Sequence, residues 1–267
     1  MTKVPSMGFD GWCDEILTQT RLLAAHLRGT DLRTPVPSCP GWTVGQLVRH
    51  VGAGHRWAEE TVRTKAASPL PDTELRELSG RVDGDPATLG PWLAEGAARL
   101  TEALHTAGPQ TEVWTPIPDR TDAAFYARRF AHETLVHRAD AALALGVPFS
   151  ADQEVAADAL DEWMELDTLP VMLDIRPERR ELLGPGHTLH LHAVDTAPDL
   201  AAEWLVDLTG EVATWRRAHE KAAVAVRGPL IELLLTVYGR RPLGDGTVQV
   251  LGDRELLESW LAKVSFG

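Results

Sequence analysis

Residues 131–140 read AHETLVHRAD, and they lie in a run from about Arg120 to Leu145 that Gly146 and Pro148 close. Such a run is expected to be helical. Within it Glu133 and His137 are four residues apart, so at ~100° per residue they differ by about 40° around the helix and point the same way. They can share one cation. His132 precedes His137 by five residues, which turns it about 140° away and excludes it from the same site. The spacing is HExxxH, whereas the zincin HExxH motif needs two histidines four apart.

Two donors on one helix need a third from a neighbour, and a helical bundle supplies it by inward projection from a facing helix. His50 is the candidate. It lies in TVGQLVRHVGAGHRWAEE, a helix expected from about Val44 to Thr64 with Thr43 as its N-cap, where Val44, Leu47, Val48 and Val51 mark an inward stripe that includes its face. A bare imidazole buried there is costly unless it is hydrogen-bonded or holds a metal. His55 is turned away from His50 and is expected at the surface or rim. A His, Glu, His set leaves one position of a tetrahedral zinc open, the catalytic pattern. The ion would lower the pKa of a bound water or thiol. Asp140, three past His137, is placed to accept from its other ring N–H, or else to pair with Arg138. Taken alone, carboxylate and histidine pairs at this spacing are also common on helix surfaces.

Two more helices complete the bundle: one from about Gly8 to Arg28, with Gly29 as its stop, and one from Pro91 to Leu104, ended by Gly108 and Pro109. The proline-rich stretch from Thr34 to Gly41 reads as a loop. Cys39 lies in that loop, and with Cys13 it makes the total of two cysteines. There is no CxxC spacing, so neither a disulfide framework nor a cysteine-rich zinc site is expected, and both read as reduced, partly buried thiols; the lesser alternative is a reactive Cys39, which sits in a turn just before Pro40 and Gly41.

The texture changes after a helix that Ser150 can cap and a charged connector, RPERRELLGPG. TLHLHAVD, AEWLVDL, VATWRRA, AAVAVRG and TVQVLG read as short strands, with helices near Leu230–Tyr238 and Arg254–Val264. The fold class is therefore α+β, with a four-helix bundle over residues 1–148 and a small α+β domain over 149–267. His190 and His192 share a strand face and can bind metal as a pair, but the plainer reading makes Thr188, His190 and His192 the polar side of a strand whose Leu189, Leu191 and Ala193 face the core.

A formal charge of -13 disfavours nucleic acid and anionic membrane surfaces as partners. The opening MTKVPSMGFDGWCDE has no apolar core of a signal peptide, and no stretch approaches roughly 18 uninterrupted apolar residues, so a cytoplasmic protein is expected. GxxxxGK[ST], GxGxxG and GxSxG are all absent from the sequence, which removes nucleotide binding and acyl transfer by those motifs.

The stretch SCPGWTVGQLVRHVGAGHRWA, followed by AHETLVHRADAALALG, resembles the mycothiol-dependent maleylpyruvate isomerase family, whose N-terminal part is a DinB-like four-helix bundle. HLHAVD, EWLVDL and VYGRRPLGDGTVQVLGDRELLESWL resemble that family's C-terminal domain, which is related to sterol-carrier-protein folds. The resemblance places the family's metal ligands on His50, Glu133 and His137. It implies zinc as the ion, with other divalent metals acceptable to the same donors, and mycothiol as cosubstrate. A family arginine that meets substrate carboxylates falls on Arg240 or Arg241, and Trp57 is a further candidate for substrate contact.

Three functions are then in play. The first expectation is a mycothiol S-transferase, in which a metal-activated thiol attacks an electrophilic carbon of a small substrate with no separate protein nucleophile. The second is a mycothiol-dependent cis-trans isomerase of a maleylpyruvate-like diacid. The third is a non-catalytic metal- or ligand-binding module. The active site is expected between the two domains.

Overall fold

A computed structural model describes residues 7–72, 86–117 and 120–264 of the chain. The six residues that open the chain, part of the start read above for a targeting signal, lie outside them. The chain divides into two compact units, Met7–Phe149 and, among the described residues, Ser150 to Val264.

The first unit is helical. Helix α1 spans Phe9–His26, α2 Val44–Thr64, α3 Pro86–Ala107 and α4 Ala123–Leu145. Helix α2 starts where the sequence places it because Thr43 and Gln46 form a capping box: the Thr43 hydroxyl accepts from the Gln46 N–H at 3.3 Å and the Gln46 side chain accepts from the Thr43 N–H at 2.9 Å. Helix α4 starts at Ala123, later than the expected Arg120, because Asp122 caps it by accepting from the Phe125 N–H at 3.1 Å. It ends on Gly146 at φ 65°, a left-handed conformation glycine adopts without cost.

Helix α3 departs from expectation, since Pro91 lies inside it and not at its first turn. The preceding turn is kept helical by Leu89, which lies four residues before Leu93 and shares with it the apolar cluster that includes Val48, Val51 and Leu47. Helices α2 and α3 approach closely at Gly52. A Cβ built there would sit 2.2 Å from the Trp92 ring, and Arg56 lies over the same ring at 4.1 Å while donating to the Trp92 carbonyl at 2.8 Å.

Helix α4 packs against α1, α2 and α3. Its buried residues include Tyr126, Phe130, Leu135 and Ala139 but also His132, Thr134, His137, Arg138 and Asp140, so it has no single apolar stripe. A helix enclosed this way shows little amphipathic pattern in its sequence.

In the second unit, α5 (Gln153–Asp167) is capped by Asp152 and not by the expected Ser150. The short helix α6 (Met172–Ile175) and a 3-10 turn (Pro177–Leu182) precede strands β1 (Thr188–Ala193), β2 (Glu203–Asp207), β3 (Thr214–Arg217), β4 (Val224–Gly228) and β5 (Gln249–Gly252), with helices α7 (Leu230–Val237) and α8 (Arg254–Val264). The sheet order is β3-β2-β1-β4-β5, with β1 and β4 parallel and the other neighbours antiparallel. Asp161 of α5 anchors the helix to the sheet by accepting from Trp204 Nε1 at 2.8 Å and from two nitrogens of Arg217 at 2.7 and 2.8 Å. The fold class is thus a helical bundle followed by a small α+β domain. No helix among the described residues is long and apolar enough to cross a membrane.

Candidate metal centre

Helices α2 and α4 bring His50, Glu133 and His137 together, with one donor atom from each lying within 4.8 Å of the others. His137 Nε2 is 3.0 Å from Glu133 Oε1, and His50 Nε2 is 3.7 Å from the same oxygen. The two imidazole rings meet edge to face with centroids 5.1 Å apart. The i, i+4 geometry of α4 accounts for the first contact. Only the packing of α2 against α4 accounts for the second.

Asp140 lies on the far side of the His137 ring and is fully buried. Its Oδ2 accepts from His137 Nδ1 at 2.9 Å, which leaves Nε2 as the nitrogen that faces Glu133 and His50. Arg138, next in sequence to His137, donates from Nε to Gln19 at 2.6 Å, and its guanidinium lies over Phe149.

The same carboxylate reaches back to the proline-rich loop. Asp140 Oδ1 accepts from the Ser38 hydroxyl at 2.6 Å and Oδ2 from the Cys39 thiol at 3.5 Å. Cys39, His137 and Asp140 therefore form a second set of converging donors that shares His137 with the first. The sequence reading did not bring Cys39 to these residues. The loop also carries Trp42, whose ring lies 4.9 Å from that of His50 and stacks on His137 at 6.3 Å.

Burial opposes charge on both Glu133 and His137, yet their reciprocal contact prevails. The Glu133 carboxyl is held well below the usual carboxylate range by His137, His50 and Arg129, the last donating to Oε2 at 3.1 Å. His137 is held well above the usual imidazole range by hydrogen bonds to Asp140, Cys39 and Glu133. Coordination needs the neutral imidazole, so a cation bound at His137 Nε2 would displace a proton from it. The exposed edge is formed by the His50 and Glu133 side chains, at 25% and 34%, against 10% for His137.

The other expected positions have contacts within their own units. Trp57 makes its ring contacts with Trp114 and Tyr126 and donates from Nε1 to the Leu70 carbonyl at 3.3 Å. Arg241 is paired with Glu232 at 3.1 Å and Arg240 donates to the Tyr238 carbonyl at 2.6 Å, both within the second unit. His55 is not at the rim. It is fully buried and lies 2.9 Å from the Thr134 hydroxyl, one residue beyond Glu133. That hydroxyl already donates to the Phe130 carbonyl at 2.6 Å, so it accepts from His55 Nε2–H, and the bond ties α2 to α4 next to the donor cluster.

Residues 13–142 match the family model of the mycothiol maleylpyruvate isomerase N-terminal domain. No curated protein matches the sequence. Among solved structures, a mycothiol-dependent maleylpyruvate isomerase and a histidine-to-alanine mutant of it resemble the chain with TM-scores of 0.60 and 0.61, at 18% identity, over 94% of this chain and 95% of theirs. At that identity the likeness speaks to the fold. The span of the family match, 130 residues, contains His50, Glu133 and His137, so the likeness to the mycothiol maleylpyruvate isomerase N-terminal domain falls on the helical unit that carries these three side chains.

Proposed function

We propose that the chain is a mycothiol-dependent isomerase that converts the cis double bond of a maleylpyruvate-like diacid to trans, with a divalent ion, zinc by choice of donors, held by His50, Glu133 and His137. The observation that carries the reading is the convergence of these three side chains from two helices inside the span that matches the family domain. The donors fit the ion: two imidazoles and a carboxylate, with the tautomer of His137 fixed by Asp140, leave one coordination position for an exogenous ligand. When bound, the ion supplies the positive charge that makes a thiol acidic at neutral pH.

The chain's own residues do the positioning. Arg129 holds the second oxygen of Glu133, so that Oε1 stays turned to the imidazoles. Trp42 covers His50 and His137 with an apolar face and limits water there. The thiol sulfur adds to one olefinic carbon, the former double bond rotates as a single bond, and expulsion of the same sulfur restores the alkene and returns the thiol. Arg240 and Arg241 are the residues we assign to the substrate's carboxylates; the Glu232 partner of Arg241 leaves less of its charge for a ligand.

The similar solved structures are of an isomerase, which is why isomerisation stands ahead of the S-transfer placed first from the sequence. One assay separates the readings. The purified chain is supplied with zinc, sub-stoichiometric mycothiol and maleylpyruvate, and both the trans product and the free thiol are followed. Isomerase action yields many product equivalents with the thiol titre unchanged. A thiol titre that falls in step with an S-adduct identifies the transferase, and no change in either identifies a binding module and sinks the proposal.

A further inference from the structure

In the second unit His190, His192, Glu203 and His219 each offer a donor atom within 4.8 Å of the others. We propose that these four side chains form a second site for a divalent transition-metal ion, separate from the bundle cluster and structural in character. All four lie between β1 and the segment after β3, so the site needs nothing from the bundle.

The scaffold is the sheet itself. His190 and His192 are two apart on β1 and share a face, and His192 stands directly across from Glu203 of β2. His219 follows the end of β3, where the Ala218 N–H donates to the Glu203 carbonyl at 3.3 Å and brings the imidazole round to the same face. Three ring nitrogens then crowd one carboxylate oxygen: His219 Nδ1, His190 Nε2 and His192 Nδ1 lie 2.6, 2.8 and 3.3 Å from Glu203 Oε2. The three ring centroids form a nearly equilateral triangle with sides of 5.6, 5.6 and 5.7 Å.

A polar cluster explains this less well than a cation does. One carboxylate oxygen has about two lone pairs, and three donors exceed them. Three protonated imidazoles at this spacing would repel each other, whereas three neutral ones can each turn a lone pair to one cation. For a Zn–N bond of about 2.0–2.1 Å, ring centroids around one tetrahedral ion lie roughly 5.1–5.3 Å apart. The observed triangle is therefore about half an ångström wider than the coordinated arrangement, a contraction that small side-chain rotations supply. Three imidazoles and a carboxylate complete a tetrahedron, so no position is left for substrate, and the ion would clamp β1, β2 and the chain after β3. The exposure expected for a strand's polar side is not found at His190, which is only 6% exposed.

The test uses the full chain stripped of metal and titrated with zinc against a chromophoric chelator, then with cobalt(II) to read the intense visible absorption of four-coordinate cobalt. His219→Ala is the primary variant because that side chain is 75% exposed and its loss should spare the fold; His192→Ala is the second. The expected result is that each weakens one zinc site by at least about tenfold, the minimum seen when even a ligand's supporting partner is removed. His50→Ala, which alters the bundle cluster alone, should leave that site and its cobalt spectrum in place. Unchanged titrations for both His219→Ala and His192→Ala, or a His50→Ala chain that binds no zinc, would overturn the proposal.

Discussion

Replacing Asp140 by Asn tests the reading of the bundle site at its support and leaves the donors untouched. In the structure Oδ2 fixes the His137 tautomer at 2.9 Å while Oδ1 takes the Ser38 hydroxyl at 2.6 Å. An Asn that keeps its oxygen on Ser38 turns an N–H₂ toward His137 Nδ1–H, and the ring relieves the clash by moving its proton to Nε2, the atom needed by the metal. An Asn flipped the other way still accepts from Nδ1–H but without the negative charge that makes the imidazole a strong donor. The first outcome is the more damaging, and loss of a partner of this kind costs about 10- to 100-fold in metal affinity, or about 1.4–2.7 kcal/mol. Competitive zinc titration at pH 7, with far-UV circular dichroism to verify the fold, measures it. A well-folded Asp140→Asn chain that binds zinc within about twofold of wild type would refute the claim that Asp140 orients His137.

Three further outcomes follow from other parts of the bundle. Burial lowers the pKa of His55 from 6.5 to about 3, so the unfolded chain takes up that proton first as the pH falls; its contribution is complete above about pH 6.5, begins to fade below that and is gone below about pH 3, a loss of about 2 kcal/mol by pH 5. Urea unfolding at pH 7 and pH 5 should show this difference in wild type and a smaller one in His55→Gln, and equal differences would sink the assignment. Cys13 is fully buried, and burial with Asp10 and Asp14 pushes its thiol up to about 12, so a thiol reagent on the native chain should label Cys39 alone, as mass spectrometry of peptides can verify. Gly52→Ala drives a methyl into the Trp92 ring and should destabilise the chain by about 1–3 kcal/mol; an unchanged melting temperature would mean that α2 and α3 separate freely at this point.

Much of the bundle was legible because its helix ends carry chemical signals that act locally. Thr43 and Gly146 fix termini through a side chain or a φ angle, and the Glu133–His137 pair needs only helical spacing, whereas Asp122 starts α4 three residues after the point the run suggests. His55 was misplaced for a physical reason. Its angle from His50 was right, but α2 packs against both α3 and α4, so the side turned from His50 meets Thr134 and not water. The Cys39–Asp140 contact joins residues 101 apart in sequence, and no periodicity encodes it. The histidines of β1 were visible as a pair, whereas Glu203 and His219 join them only once the strand register is known.

Helix α4 holds two of the three bundle donors and buries fifteen of its twenty-three residues on all sides. An engineer who wished to redirect this chain to a new substrate would find almost no freedom there, because nearly every replacement meets a neighbouring helix before it meets a ligand. Diversification is left to the loop from Thr34 to Thr43, which supplies Ser38, Cys39 and Trp42 around the site without carrying a proposed ligand of its own. The helix keeps the chemistry constant, and the loop is the part free to be rewritten.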